Sequence, residues 1–190
     1  MAYLNRTQLD EFGFYFIGKN VQISDKASIY DPELISIGDN SRIDDFCVIS
    51  GKVDIGEYVH ITPMCLIAGG KLGVILSNFC TLAYGVKIFS QSDDYSGQTM
   101  VNSLIDNKYK AEVFSPVLVE RHVAIGANSV VFPGVVVAEG CSLGAMTLLL
   151  KSTKPWGIYF GTPAVRVKER KKNLLILEKQ FLKGKASDSV

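Results

Sequence analysis

Residues 37–67 read IGDNSRIDDFCVISGKVDIGEYVHITPMCLI, with an isoleucine at every sixth position: Ile37, Ile43, Ile49, Ile55, Ile61 and Ile67. A period of six is neither the 3.6 of a helix nor the 2 of a plain strand. It is the hexapeptide signature of a parallel β-helix, in which each short repeat buries its apolar residue only against its neighbours. The same spacing runs outward in both directions. Upstream lie Ile17, Ile23 and Ile29; downstream lie Leu76, Leu82 and Ile88, then Val119, Ile125, Val131, Val137, Leu143 and Leu149. Ile, Leu and Val make up only 52 of the 190 residues, so eighteen aliphatics at eighteen positions reflect design rather than composition.

A second phase supports the first. Four residues after each aliphatic stands a small or medium residue, among them Ala27, Ser41, Cys47, Val59, Cys65, Cys80, Ser129 and Cys141. Three hexads close one triangular coil, the aliphatic pointing in and the later residue packing inside the turn. Eighteen hexads predict an all-β solenoid of about six coils, roughly 29 Å tall at about 4.8 Å per coil. The spacing slips after hexads three, nine and twelve, all multiples of three. Every insertion is therefore expected at one edge of the prism. The first two are short. The third, 89–118, is long enough to be functional, and it holds the polar and aromatic run SQSDDYSG.

The flanks divide the chain into a helical cap over 1–16, the β-helix over 17–150 with its loop, and a crossing segment, helix and tail over 151–190. NRTQLDEF (5–12) reads as a short helix capped by Asn5 or Thr7 and stopped by Gly13. Residues 152–165 read as irregular. Residues 167–183 read as a helix whose Leu174, Leu177 and Phe181 form an apolar stripe against the β-helix or a neighbouring chain. The tail GKASDSV is expected to fray. Residues 1–150 carry 10 basic and 16 acidic side chains, and residues 151–190 carry 10 basic and 3 acidic, so a formal charge of +1 hides a basic end suited to an anion. The four cysteines all occupy the inner-turn slot and read as small buried residues, with no CxxC spacing. The N-terminal residues have no apolar signal core and no 18-residue apolar run exists, so a cytoplasmic protein without membrane insertion is expected.

HVAIGANSVVFPGVVVAEGCSLGAMTLLLKS (122–152) followed by GTPAVRVKER (161–170) resembles the C-terminal pattern of the hexapeptide-repeat acyltransferases. The likeness is greatest to sugar O- and N-acetyltransferases of surface-polysaccharide biosynthesis such as O-antigen, capsule or S-layer glycan. It covers roughly residues 15–170. It implies a left-handed β-helix, acetyl-CoA as co-substrate, and a homotrimer with active sites between neighbouring chains. By the same resemblance, the backbones at Ala127 and Ala145, eighteen residues apart in matching turns, line the pantetheine arm, and Lys151, Arg166 and Lys168 meet the 3′-phosphate. Where several relatives place Trp beside that arm, this chain has Ala124.

Many relatives carry a His in the long loop, in a segment like S-x-H-D-Y. Here the run is Ser92-Asp93-Asp94-Tyr95, with Asp93 at the His position. A sugar hydroxyl needs a base poised near neutrality, whereas an unperturbed carboxylate is a weak one. An amine is already partly unprotonated, and it needs positioning more than a strong base. The substitution therefore favours N-acetylation of a dTDP- or UDP-linked amino sugar over O-acetylation of a hydroxyl, or over a non-catalytic carbohydrate- or nucleotide-binding trimer. His60 precedes a core Ile and should point outward, making a composite site with the Asp93 loop of the next chain. A similar V-H-I segment occurs in nucleotide-aminosugar N-acetyltransferases of this fold, although their second His corresponds here to Gly51. Asp44 and Asp45 are expected to face outward and, with Asp94, to meet the acceptor; Tyr84 and Tyr95 could stack on its rings. Two histidines do not make a zinc site on this fold, and the basic end lacks the interleaved aromatics of nucleic-acid binding. The sugar nucleotide has no separate domain and is expected in the intersubunit groove.

Overall fold

The structure, a computed structural model, describes residues 2–187; residues 188–190, part of the tail expected to fray, lie outside them. All eighteen hexad aliphatics fall into three columns of six. On the first face Ile17, Ile37, Ile55, Leu76, Val119 and Val137 lie in parallel register. The second face stacks Ile23, Ile43, Ile61, Leu82, Ile125 and Leu143. The third stacks Ile29, Ile49, Ile67, Ile88, Val131 and Leu149. These side chains form one continuous core, fully buried through the middle coils and half-buried only at Ile17 and Ile29 at the open end. The solenoid is a left-handed parallel β-helix.

The second face has a seventh rung. Gly157–Phe160 pairs in parallel with Ser142–Leu143 and puts Tyr159 in the core column, 8% exposed. The expectation of six coils and an irregular 152–165 is corrected here, because Tyr159 is aromatic and stands sixteen residues after Leu143 instead of eighteen. Val165–Glu169 then folds back antiparallel on that rung. The C-terminal helix, α2, accordingly runs from Leu174 to Ser187, later than expected and through most of the GKAS segment. The N-terminal helix, α1 (Arg6–Glu11), is capped by Asn5 in a reciprocal bond with Gln8, and its Leu9 closes the open end of the core.

The three edges differ. On the first, between the first and second faces, Asn20, Asn40, Tyr58, Phe79, His122, Gly140 and Trp156 all adopt positive φ. On the second, Phe46, Met64, Gly85, Asn128 and Met146 do so. All three insertions leave at the third edge, as the multiples of three require. They are the 3-10 turn Pro32–Leu34, the bend inside the strand Leu66–Leu76, and the long loop, which opens with a small antiparallel pair between Gln91–Ser92 and Val113–Phe114.

Candidate active site

Four of the expected site residues, Asp45, Tyr84, Ala127 and Ala145, gather along the second edge. Its turns are linked rung to rung by backbone hydrogen bonds, from Met64 N–H to Asp45, Gly85 N–H to Pro63, Asn128 N–H to Tyr84, and Met146 N–H to Ala127. Asp45, Pro63, Tyr84, Ala127 and Ala145 therefore form one column. The expected donor residues Ala127 and Ala145 stand above the expected acceptor residues Tyr84 and Asp45, and about 14 Å separates Ala127 from Asp45 over three rungs. The backbone must stay thin here. A Cβ on Gly126 would come 2.5 Å from the amide nitrogen of Ala145. The GTPA turn closes the top of this edge, where Thr162 Oγ1 donates to the Met146 carbonyl at 3.0 Å.

The basic residues assigned to the 3′-phosphate are not brought together in one chain. Lys151 follows the third face and sits at the third edge beside Pro163 and Ala164. Arg166 and Lys168 lie on the returning strand opposite Tyr159 and Ile158, and Arg166 is paired with Glu169 at 2.7 Å. Nor does one chain join His60 to Asp93: the first lies on the second face, the second on the loop leaving the third edge.

In that loop the two aspartates have different surroundings. Asp94 accepts hydrogen bonds from the Ser96 amide at 2.8 Å, Ser96 Oγ at 2.9 Å, Thr99 Oγ1 at 2.9 Å and the Thr99 amide at 3.3 Å. These donors, Ser96 first, hold its carboxyl below the usual carboxylate range. Asp94 thus organises the loop. The Asp93 carboxylate has no side-chain partner among the described residues. Tyr84 and Tyr95 are both exposed.

Asp44 and Asp45 correct the expectation of outward-facing carboxylates. Asp44 is 3% exposed, and both its oxygens are taken: Arg42 Nε donates to Oδ1 at 2.6 Å and His60 Nε2 lies 2.9 Å from Oδ2. Asp45 accepts from Ser24 Oγ and pairs with Lys26 at 3.8 Å. Each has turned into the edge because partners await it there: Arg42 on its own rung and His60 on the next for Asp44, and Ser24 and Lys26 on the preceding rung for Asp45. Arg42 was not legible as a site residue by type. The signal was spacing: it stands eighteen residues before His60, and the register Arg42↔His60 places them on consecutive rungs. The Asp44 carboxylate, by its hydrogen bond first and its charge second, raises the already high pKa of Arg42. His60 faces outward as expected, its side chain 39% exposed.

The four thiols are buried and unpaired, and each donates to a backbone carbonyl one coil on, as Cys80 Sγ does to Glu120 at 3.1 Å. Burial pushes the Cys80 thiol up to about 12. A buried, protonated sulfur is not a nucleophile. His122, a turn residue near the expected CoA segment, is also structural: it is buried, stacked on Phe79 at 5.3 Å, and 3.0 Å from Glu178 of α2.

Residues 35–69 match the bacterial transferase hexapeptide (six repeats) family. The whole chain aligns, at 40% identity over 193 residues, with the whole of an Escherichia coli dTDP-4-amino-4,6-dideoxy-D-glucose acyltransferase. The chain belongs to the hexapeptide-repeat acyltransferases. Solved acyltransferases of this family agree in backbone as well as sequence. AntD, an N-acyltransferase from Bacillus cereus in complex with dTDP and 3-hydroxybutyryl-CoA, superposes with a TM-score of 0.96 at 42% identity, over 97% of this chain and 98% of that one. A variant of AntD with a serine replaced, in complex with dTDP-4-amino-4,6-dideoxyglucose and coenzyme A, superposes at 0.95 with 43% identity, over 96% and 98%. As a hexapeptide-repeat acyltransferase this chain is an enzyme that uses a CoA thioester. Among the described residues no group of three or more His, Cys, Asp or Glu could hold a metal, and no helix is long and apolar enough to cross a membrane.

Proposed function

We propose that this enzyme transfers an acyl group, acetyl in the first instance, from CoA to the 4-amino group of dTDP-4-amino-4,6-dideoxyglucose. The observation that carries the reading is the 40% match along the full length of both chains to an acyltransferase of that sugar. The chemistry of the loop supports it. Asp93 offers a carboxylate with no side-chain partner among the described residues where a hydroxyl acceptor would call for an imidazole, and a carboxylate suits an ammonium that must be held in place. Transfer is direct: the amine attacks the thioester carbonyl, with no acyl-enzyme on a buried cysteine. A backbone N–H beside the pantetheine arm stabilises the oxyanion.

The working assembly is a homotrimer, with Asp93 of one chain meeting the second edge and His60 of the next. Half-buried Val48, Leu66, Val130 and Leu148 stand on the outside of the third face, interrupted by exposed Lys87, and Phe46, Met64 and Met146 are exposed on the second edge, a largely apolar surface suited to another copy. Ala127, Ala145, Lys151, Arg166 and Lys168 hold the CoA, and Tyr84 and Tyr95 flank the acceptor. Free thiols and CoA chemistry support a cytoplasmic reaction, and in this reading the acylated sugar nucleotide serves as a precursor for surface polysaccharide. The test is release of CoA from acetyl-CoA, followed with a thiol-reactive dye, on the dTDP-4-amino sugar and on dTDP-glucose. Turnover on the amine alone is expected; turnover on the hydroxyl sugar alone would overturn the reading.

A further inference from the structure

Asp44 is enclosed between two side chains, and its environment fixes a chemical property of His60. A carboxylate only accepts hydrogen bonds. With Arg42 Nε on Oδ1 at 2.6 Å and His60 Nε2 at 2.9 Å from Oδ2, the His60 nitrogen facing Asp44 must carry the proton. In the neutral ring, Nδ1 is then the lone-pair nitrogen, and it has no partner among the described residues. Arg42 is itself held from behind by the ring of Tyr3, 5.5 Å from its guanidinium carbon. The charged or titratable groups around His60 are thus Asp44 in contact, Arg42 and Tyr3 behind it, and the Asp45–Lys26 pair on the adjoining turn. His60 also lies two residues before Thr62, whose turn stacks directly under that of Ala83 on the second edge, the edge that carries Ala127 and Ala145.

We infer that Asp44 is a positioning residue, which with Arg42 locks His60 as the Nε2–H tautomer so that Nδ1 is the nitrogen that receives the acceptor's proton. The inference rests on the N-acylation reading above. In the step it serves, an N–H bond of the substrate ammonium breaks; the proton passes to Nδ1 and the electron pair stays on nitrogen. That nitrogen forms the C–N bond at the thioester carbonyl carbon, and the C–S bond breaks with its pair on sulfur. The thiolate takes the second N–H proton, and the proton on Nδ1 leaves to solvent. The products are one amide, one CoA thiol and one proton.

Asp44→Asn tests the assignment because it inverts it. With its oxygen kept on Arg42, the new amide presents N–H to His60, so Nε2 must accept and the ring proton moves to Nδ1. Two-dimensional 15N spectra of the imidazole nitrogens, assigned against His60→Gln, are expected to show Nε2–H in the wild type and Nδ1–H in Asp44→Asn. With the wrong nitrogen protonated, kcat should fall about 100-fold, KM for both substrates should stay within about twofold, and Asp44→Asn/His60→Gln should be no worse than His60→Gln alone. A wild-type Nδ1–H tautomer, read on the unmodified protein whether or not the variant folds, overturns the inference. So does a folded Asp44→Asn with wild-type kcat. If the wild type turns over no nucleotide-linked amine, the N-acylation reading has failed instead, and the tautomer still reports whether Asp44 sets the ring.

Discussion

Two edges of this prism share one backbone geometry and do opposite things. On the first edge the positive-φ positions carry rings: Tyr58 stacks on Phe79 at 5.0 Å and Phe79 on His122 at 5.3 Å, while Trp156 covers Gly140 so closely that a Cβ there would sit 2.4 Å from the indole. Helix α2 then seals this edge, with Phe181 edge-on to Tyr58 at 5.3 Å and Glu178 bound to His122 and Arg121. On the second edge the residues just before the positive-φ position are Ala127, half-buried, and Ala145, exposed, and no ring stacks over them among the described residues. The repeat dictates the turn; the side chains hung on it decide whether the edge becomes core or groove.

The largest effect should come from making the open edge resemble the closed one. Ala127→Trp would lay an indole along the path assigned to the pantetheine arm. We expect kcat/KM for acetyl-CoA to fall at least about 100-fold, close to 3 kcal/mol of lost transition-state binding, with an unchanged far-UV spectrum and melting midpoint. Wild-type kinetics in that variant would mean that CoA does not run along this edge.

The reverse change hollows the closed edge. Phe79→Ala removes the middle ring of the stack and the face over which the Arg121 guanidinium lies at 5.4 Å. Because Phe79 is only half-buried, the cost should fall below that of a fully buried Phe, at about 2–3 kcal/mol. That corresponds to a midpoint lower by about 5–10 °C in a chain of this size. Turnover at 25 °C should stay within about twofold, since no expected substrate contact is lost. Thermal denaturation and the CoA-release assay, run side by side, separate the two edges.

The difference between the edges also explains what the sequence made legible. The core could be read to the residue, because one inward aliphatic per hexad is an energetic requirement repeated eighteen times. The seventh rung escaped because Tyr159 satisfies the same requirement with a different residue at a shorter spacing. The second edge could be placed because Ala127 and Ala145 are small at a fixed interval of eighteen. The ring stack on the first edge was hidden, since Tyr58, Phe79 and His122 are separated by 21 and 43 residues once the insertions intervene. The directions of Asp44 and Asp45 were misread for a related reason. Residue type shows a carboxylate, but only the fold, which swings Arg42 back onto Asp44 and brings His60 and Ser24 in from the neighbouring rungs, shows that each has a partner.

Alkaline pH probes the interior that both edges enclose. The folded Cys80 thiol titrates at about 12, whereas an unfolded thiol ionises near its ordinary value, about 8.5. The folded value is raised, so this contribution is complete below about pH 8.5 and is lost as pH climbs toward 12. Stability should drop by about 1 kcal/mol between pH 9 and 10 through this residue. Cys80→Ala should flatten that slope in urea titrations, and an unchanged slope would assign the alkaline loss to other groups.

The smallest effect tests how α2 seals the first edge. Its apolar stripe of Leu174, Leu177 and Phe181 lines a cavity of about 370 Å³ with Tyr58, Phe79 and His122, so the helix rests on a loosely filled contact and is pinned by one carboxylate. Glu178 is that pin, its side chain 13% exposed and bonded to both His122 and Arg121. A half-exposed pair is worth little alone, but two donors sharing one nearly buried acceptor hold more, so Glu178→Gln should cost about 1 kcal/mol. The loss should be local, because the helix rests on the outside of the edge while the β-helix below is knit by continuous ladders. Hydrogen exchange can show this directly: amides of α2 should exchange about five- to tenfold faster in Glu178→Gln, and those of the rungs at Leu82 and Ile125 should not change. Equal acceleration in helix and rungs would mean that α2 and the prism unfold as one unit, and that the closed edge is part of the core rather than a lid upon it.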